Sequence, residues 1–98
     1  MTPAVDEMTA ARLAELFSTL ADASRVRIVA ALAADERNVG ELADEVGLTH
    51  SAVSHHLRHL RQMRLVRARK DGRYVYYHLD DDHVQDLFRC GLEHVRHG

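Results

Sequence analysis

Four side chains near the C-terminus are of types that bind transition metals, and their spacing is regular. Asp81 and His83 form an Asp-x-His pair, and after ten intervening residues His94 and His97 form a His-x-x-His pair. Three imidazoles and one carboxylate are donors that suit a tetrahedral zinc ion. The pattern predicts a zinc site. The alternative is that the four are surface residues of an amphipathic helix, with Asp81 as its cap.

One straight helix cannot bring these four side chains to a single ion. His83 and His94 are eleven residues apart, which is about 16 Å of helical rise, whereas zinc ligands lie about 2 Å from the metal. Two antiparallel copies remove the difficulty, because the Asp81 end of one helix then meets the His97 end of the other. A two-fold axis gives two equivalent zinc sites per homodimer, each shared between protomers.

The elements that position these residues follow from the periodicity of the apolar side chains. Helical spacing and capping residues predict five helices: 9–20, from Asp22 or Ser24 to 34, from Asn38 to 46, from Thr49 or Ser51 past 60, and from the acidic run 80–82 to about 97. Gly47 suits the left-handed end of the third helix. The polar stretch 35–38 breaks the pattern. Residues 65–69 and 74–79 alternate as strands do, and Asp71-Gly72 between them is typical of a tight hairpin turn.

Two short helices joined at Gly47 and followed by a basic hairpin predict a winged helix-turn-helix domain. The fold is mainly α with a β-hairpin wing, in the order α-α-α-α-β-β-α. In such a domain the second helix of the pair reads base edges in the major groove, while arginines and lysines contact phosphates. We predict that the DNA-binding residues are His50, Ser51, Ser54, His55, Arg58, Lys70 and Arg73, with Arg61 as a further backbone contact. Taken singly, Ser51 and Ser54 also fit a role as helix-capping or surface residues. His55, His56 and His59 also fit as exposed residues without a function or as metal ligands.

The distribution of charge favours a polyanionic partner although the net charge does not. The chain carries −2 overall. Residues 51–79 contain seven basic residues and one acid, Asp71, so this block has a net charge of +6 and the remainder −8. A block so polarised suggests a face for nucleic acid on an otherwise acidic body. A solvated basic surface without a partner is the simpler alternative.

Length and composition suit a single globular domain. We expect a flexible N-terminal tail at 1–8 and the DNA-binding domain, with a C-terminal helix for dimerisation and metal binding, at 9–98. No apolar run approaches the roughly 18 residues needed to span a bilayer, and a lone cysteine, Cys90, makes no internal disulfide. We therefore expect a cytoplasmic protein without a membrane partner or a small organic substrate. Cys90 lies off the ligand pattern and is expected to be a packed thiol.

Four stretches of the chain resemble the ArsR/SmtB family of metal-sensing repressors. They are LADASRVRI at 20–28, VGELA at 39–43, VSHHLRHL at 53–60 and GRYVYY at 72–77, and the resemblance extends over about 10–97. It implies a dimer built on the first and last helices that binds an imperfect inverted repeat of double-stranded operator DNA. It also implies that Ser51, Ser54 and His55 face the bases.

The resemblance extends to the metal ligands. In this family the spacing of Asp81, His83, His94 and His97 marks the site of zinc and cobalt sensors on the C-terminal helix. The cysteine pair that other branches carry in the third helix is absent from 37–46. Nickel sensors of the family have additional ligands, some of them from the N-terminal tail. Residues 1–17 of this chain contain no histidine, which disfavours a nickel sensor, but Asp6 and Glu7 are also possible ligands and keep that alternative open. The family also implies a hydrogen-bond path from His94 to the end of the recognition helix near Arg64.

The sequence therefore predicts a repressor, not an enzyme, that leaves its operator when Zn²⁺, or alternatively Co²⁺, binds at the dimer interface. A nickel or cobalt sensor of the same fold, and a repressor in which zinc is only structural, are the alternatives. A zinc hydrolase is disfavoured, because four protein ligands close the coordination shell that a catalytic zinc keeps open.

Overall fold

The computed structural model describes residues 4–98 and shows a winged helix-turn-helix domain, as the sequence predicts. Five helices and a three-stranded antiparallel sheet make up the domain. In chain order they are α1 (Glu7–Leu20), α2 (Ala23–Ala34), β1 (Arg37–Asn38), α3 (Val39–Val46), α4 (His50–Gln62), β2 (Val66–Asp71), β3 (Tyr74–Leu79) and α5 (Asp82–His97). Within this part of the chain, no helix has the length and apolar character needed to cross a membrane.

Every helix begins at a side chain that caps its free backbone N–H groups. The capping residues are Asp6, Asp22, Asn38, Thr49 and Asp81. Asn38 forms a reciprocal pair with Glu41: its side chain accepts from the Glu41 N–H at 2.8 Å, and Glu41 accepts from the Asn38 N–H at 3.0 Å. Helix α3 then ends at Gly47, whose φ of 71° is the left-handed conformation that glycine adopts without strain. These local contacts set the boundaries of the helix-turn-helix.

The N-terminal boundary differs from the expectation of a tail over 1–8. Helix α1 begins at Glu7, because the Asp6 carboxylate accepts a 2.7 Å hydrogen bond from the Thr9 N–H. Glu7 and Met8, which we had placed in the tail, are therefore helical. The first three residues of that segment lie outside the described residues.

A short strand, β1, was not expected from the sequence. The polar stretch at 35–38 was expected only to interrupt the helical pattern, but Arg37 and Asn38 pair with Tyr77 and Tyr76 of β3. Two residues carry no alternation of their own, so nothing local indicates this strand. The pairing makes β3 the central strand and leaves β2 at the edge of the sheet.

The wing is the hairpin of β2 and β3. Its register runs from Val66 opposite Leu79 to Asp71 opposite Tyr74, and Gly72 turns the chain with a φ of 61°. Side chains on one face of the root, including Val66, join the core, while the tip extends into solvent. The wing is thus anchored at one end only.

The core lies where α2, α3 and α4 meet the root of the wing. Its most completely buried side chains are Ile28, Val29, Leu42, Val53, Leu57 and Leu60. Val53, Leu57 and Leu60 recur at helical spacing, so burying them fixes which face of α4 remains in solvent. Helix α5 contributes one buried residue, Val84, and its partly buried Phe88 packs against the core.

Candidate DNA interface and metal centre

The exposed face of α4 carries the residues predicted to read DNA. Because α4 turns about 100° per residue, Ser51, His55 and Arg58 lie on one face, opposite the buried Val53 and Leu57. All five predicted residues of this helix are exposed: His50, Ser51, Ser54, His55 and Arg58. The helix begins at the Thr49 cap immediately after the Gly47 turn. The first two residues of the helix, His50 and Ser51, are exposed, as entry into a major groove requires.

A groove between α4 and the wing contains residues that the prediction did not group together. It has a volume of about 480 Å³ and is lined by Ser54, Arg58, Arg61, Gln62 and Tyr77. Two guanidinium groups, a hydroxyl and a phenol are suited to a phosphate of the DNA backbone. Sequence reasoning named Arg61 as a backbone contact, but no signal in the sequence brought Tyr77 next to α4.

The arginines of the wing are not equivalent. The Arg67 Nε donates to Asp80 at 2.9 Å, and Arg69 forms two hydrogen bonds to Glu36, one of them 3.3 Å from Nε to Oε2. Glu36 lies outside the basic block, as does Asp80, so part of the block's charge is neutralised from elsewhere in the chain. The described residues offer no acid to Lys70 or Arg73 at the tip.

The back of α4 is attached to the junction of α1 and α2. Arg25 donates from Nε to the Thr19 carbonyl at the end of α1, and its Nη1 lies 3.4 Å from Nδ1 of His56 on α4. Asp22 caps α2 at the same junction. The hydrogen bond from the backbone N–H of Arg25 lowers the pKa of the Asp22 carboxyl below the ordinary value. His56, which the sequence left as an exposed residue or a ligand, is therefore half-buried in a contact that orients the helix.

At the start of α5, Asp81 and His83 lie together. Asp81 caps the helix through Oδ1, which accepts from the Val84 N–H at 3.1 Å, and its Oδ2 is 3.6 Å from Nδ1 of His83. The hydrogen bond from Val84, with His83 nearby, lowers the pKa of the Asp81 carboxyl. A lowered pKa favours the ionised carboxylate, which is the form that binds a metal. The His83 side chain is 95% exposed.

His94 and His97 lie on the last turn of α5, also in solvent. Across residues 4–98 of one chain, no three histidine, cysteine or acidic side chains gather closely enough to hold a metal ion. For the four predicted ligands, the cause is the straight helix, because its rise separates the Asp81/His83 pair from the His94/His97 pair. The donor types fit zinc, but a complete set of four requires side chains from a second chain.

Cys90 is exposed, not packed as expected. The expectation rested on its position within α5 but off the ligand pattern. At about 100° per residue, however, it falls on the same face as His83 and His94 and away from Val84.

Apolar surface is left open along α1 and α5. Met8, Leu13 and Phe17 on α1 are 68%, 40% and 53% exposed, and Val95 on α5 is 77% exposed. Helix α5 also borders an almost wholly apolar groove of about 330 Å³, whose lining includes Leu20, Val26, Val84, Leu87, Gly91 and Val95. Exposed apolar side chains and large apolar patches are typical of association sites.

Comparison with known proteins places the chain among bacterial regulators. A family model described as "Bacterial regulatory protein, arsR family" matches residues 22–68, from the cap of α2 into β2. A transcriptional repressor SmtB homolog of Synechocystis sp. is 49% identical over 87 residues, which cover 89% of this chain and 66% of that protein, just under two thirds of its length. A cadmium resistance transcriptional regulatory protein CadC homolog of Staphylococcus aureus is 36% identical over 85 residues, covering 86% of this chain and 70% of the relative.

The fold has a close counterpart in solution. The homodimeric winged helix-turn-helix DNA-binding domain of Mb0332 from Mycobacterium bovis, a possible ArsR-family transcriptional regulator, superimposes with a TM-score of 0.85. The two are 28% identical, and the match covers 98% of this chain and 91% of that one.

Proposed function

This chain belongs to the ArsR family of bacterial regulatory proteins. We propose that it represses transcription as a homodimer bound to operator DNA and that a divalent metal ion releases it from the DNA, with Zn²⁺ as the first candidate. Members of this family are DNA-binding regulators rather than enzymes. The metal, the ligand set and the assembly are proposals for this chain.

Two free surfaces support the DNA-binding part. The exposed face of α4 presents Ser51, Ser54 and His55 to bases, and the wing tip presents Lys70 and Arg73 without acidic partners among the described residues. Arg58 lies between them in the groove that contains Tyr77. A dimer would place two recognition helices in successive major grooves, about 34 Å apart, which matches an inverted repeat.

The observation that carries the metal part is the position of the two ligand pairs at opposite ends of α5, beside an uncovered apolar groove. An antiparallel α5 from a second copy would cover that groove. Asp81 and His83 would then lie beside His94 and His97 of the partner subunit. The assembly would bury apolar surface and complete a tetrahedral donor set in one step.

The proposed regulation depends on differential binding. A bound zinc ion supplies a fixed link between four donor atoms of two chains. Through this link, His83 and Asp81 hold the start of α5 against the partner subunit. Helix α5 contacts α2 and β3 of the wing. A shift of α5 therefore changes the spacing of the two recognition helices α4, which no longer matches the operator. Coupling of this kind is reciprocal: zinc weakens DNA binding by the factor by which DNA weakens zinc binding.

Fluorescence anisotropy of a labelled operator duplex, with chelator and then with zinc at fixed salt, tests the proposal. Salt must be constant because phosphate contacts make the affinity steeply salt-dependent. We expect a loss of affinity of at least ten-fold with zinc. Tight binding that is indifferent to zinc would leave the metal a structural role only. A larger response to Ni²⁺ or Co²⁺ than to Zn²⁺ would favour the alternative of a nickel or cobalt sensor of the same fold.

His97→Ala tests the ligand set. We expect this variant to bind DNA as the wild type does and to keep its affinity when zinc is added. Glu93→Ala is the matched control, because it removes a potential ligand from the same helix outside the predicted set. Release of His97→Ala by zinc at wild-type concentrations would show that the assigned site is wrong.

A further inference from the structure

We propose that Gly91 is a notch that receives Leu87 of the partner subunit and so sets how closely the two α5 helices approach at the metal sites. The inference rests on the proposed dimer and deepens it by naming the residue that controls its geometry. A glycine in the middle of a helix is otherwise unfavourable, because it gives up conformational freedom without packing a side chain.

Nothing among residues 4–98 requires a glycine at this position. Gly91 lies ten residues into a 16-residue helix and does not have a positive φ. A Cβ built on it would meet no atom within 4 Å. The space beside it is the apolar groove that also contains Leu87 and Val95. The position is therefore open to a side chain of a second molecule.

The spacing of the ligands places Leu87 opposite this notch. Asp81 is six residues before Leu87, and His97 is six residues after Gly91. In an antiparallel pair that joins Asp81 to His97 of the partner subunit, Leu87 therefore faces Gly91 of the partner subunit. The two-fold axis repeats the contact, giving two notches between the two metal sites.

The angular positions on α5 agree with this arrangement. At about 100° per residue, Leu87 and Gly91 are about 40° apart, and the midpoint between them faces the apolar groove that both residues line. His83 and His94 lie within about 60° of that midpoint. A partner helix that packs on Leu87 and Gly91 would leave both histidines at the margin of the contact, where their rings can turn toward a shared ion.

The separation of the helices decides whether the ligands meet. Packed helices lie about 8–10 Å apart, depending on the side chains at the contact. Metal–nitrogen bonds of about 2 Å tolerate much less variation than that range. A glycine opposite a leucine favours the close end, and a larger side chain would push both metal sites open together.

Gly91→Ala should therefore act in opposite directions on the two states. In the single chain, alanine is a better helix former in open space, so the folded chain should not be destabilised. In the dimer, the added methyl group should collide with Leu87 of the partner subunit. We expect the dimer dissociation constant, measured by sedimentation equilibrium, to rise at least ten-fold. The affinity for Co²⁺, followed by its tetrahedral absorption bands, should fall by a similar factor.

Glu93→Ala, on the far side of the same helix, is the control and should change neither quantity. The double variant Leu87→Ala/Gly91→Ala separates collision from other effects, because removing the leucine should return part of the lost dimerisation. A double-mutant cycle of this kind isolates the contact between two residues.

The outcomes distinguish this inference from the proposal beneath it. If Gly91→Ala dimerises and binds Co²⁺ like the wild type, or if Leu87→Ala gives it no recovery, Gly91 is not the notch, while the repressor proposal stands. If the wild type is monomeric and binds no Co²⁺, both the proposed metal-linked dimer and this inference are wrong.

Discussion

The guanidinium of Arg69 in the wing is held by the carboxylate of Glu36, which lies 33 residues earlier in the chain. Arg69 also lies over the ring of Tyr76, with its central carbon 5.2 Å from the ring centroid. The pair joins the loop after α2 to the middle of β2, and it removes one positive charge from the surface that would meet DNA. The cationic surface of the wing is therefore smaller than its composition indicates.

Glu36→Gln should strengthen DNA binding. Without the Glu36 carboxylate, only Asp71, 3.7 Å from Arg69, still pairs with the guanidinium. Arg69 then becomes more available to a phosphate, and the plot of log affinity against log salt should become steeper by up to about 0.9, the value for one additional phosphate contact. Anisotropy titrations at several salt concentrations measure the slope. Asp86→Asn, which frees Arg89 on α5 instead, is the control. An unchanged slope would mean that Arg69 does not reach DNA.

The same pair should make part of the domain's stability depend on pH. The hydrogen bond from Arg69 lowers the pKa of the Glu36 carboxyl below its ordinary value. The stabilisation is then complete above the ordinary pKa of glutamate and is lost as the pH falls through the lowered value of the folded state. Thermal melts of wild type and Glu36→Gln should differ at neutral pH and converge in acid. A constant difference at all pH values would argue against the ion pair.

Arg73→Gln at the wing tip should weaken binding to all DNA sequences alike. Arg73 has no acidic partner among the described residues, so its charge is available to a phosphate or to the minor groove. We expect the salt slope to become shallower by about 0.9, with the ratio of operator to random-duplex affinity unchanged. Arg67→Gln serves for comparison and should have a smaller effect, because Asp80 already binds Arg67. Loss of operator preference in Arg73→Gln would instead indicate base recognition.

His55→Ala on the exposed face of α4 should reduce discrimination more than affinity for random DNA. A lost base contact costs about 1–3 kcal/mol of discrimination, so operator binding should fall by roughly five-fold to about 150-fold. The competition ratio between operator and random duplex measures the effect. Equal losses on both duplexes would show that His55 contacts only the backbone.

Asp81 has two roles that substitutions can separate. Asp81→Asn keeps an oxygen that caps α5 through Val84 but removes the anionic ligand, whereas Asp81→Ala removes both. Zinc affinity should fall in both variants, and thermal stability without metal should fall clearly only in Asp81→Ala. If Asp81→Asn binds zinc as tightly as the wild type, Asp81 is a cap and not a ligand.

Local chemistry in the sequence was enough to predict the helices, the wing and the winged helix-turn-helix fold. Asn38, Gly47 and Thr49 act on backbone groups within a few residues of themselves, and the buried stripe Val53, Leu57 and Leu60 selects the exposed face of α4 by helical spacing alone. Interactions of this range can be read from a single sequence.

Contacts between distant segments were decided by the tertiary structure. The strand β1, the neutralisation of Arg69 by Glu36 and the anchoring of His56 by Arg25 all join residues far apart in the chain. The periodicity of the apolar residues does not predict such pairs, because each pair depends on how elements distant in the chain pack together. The four candidate metal ligands show both what the sequence determines and what it leaves to the tertiary structure. The sequence supplies their types and spacing, but the straight course of α5 keeps the two pairs apart, so a complete site depends on an arrangement of two chains.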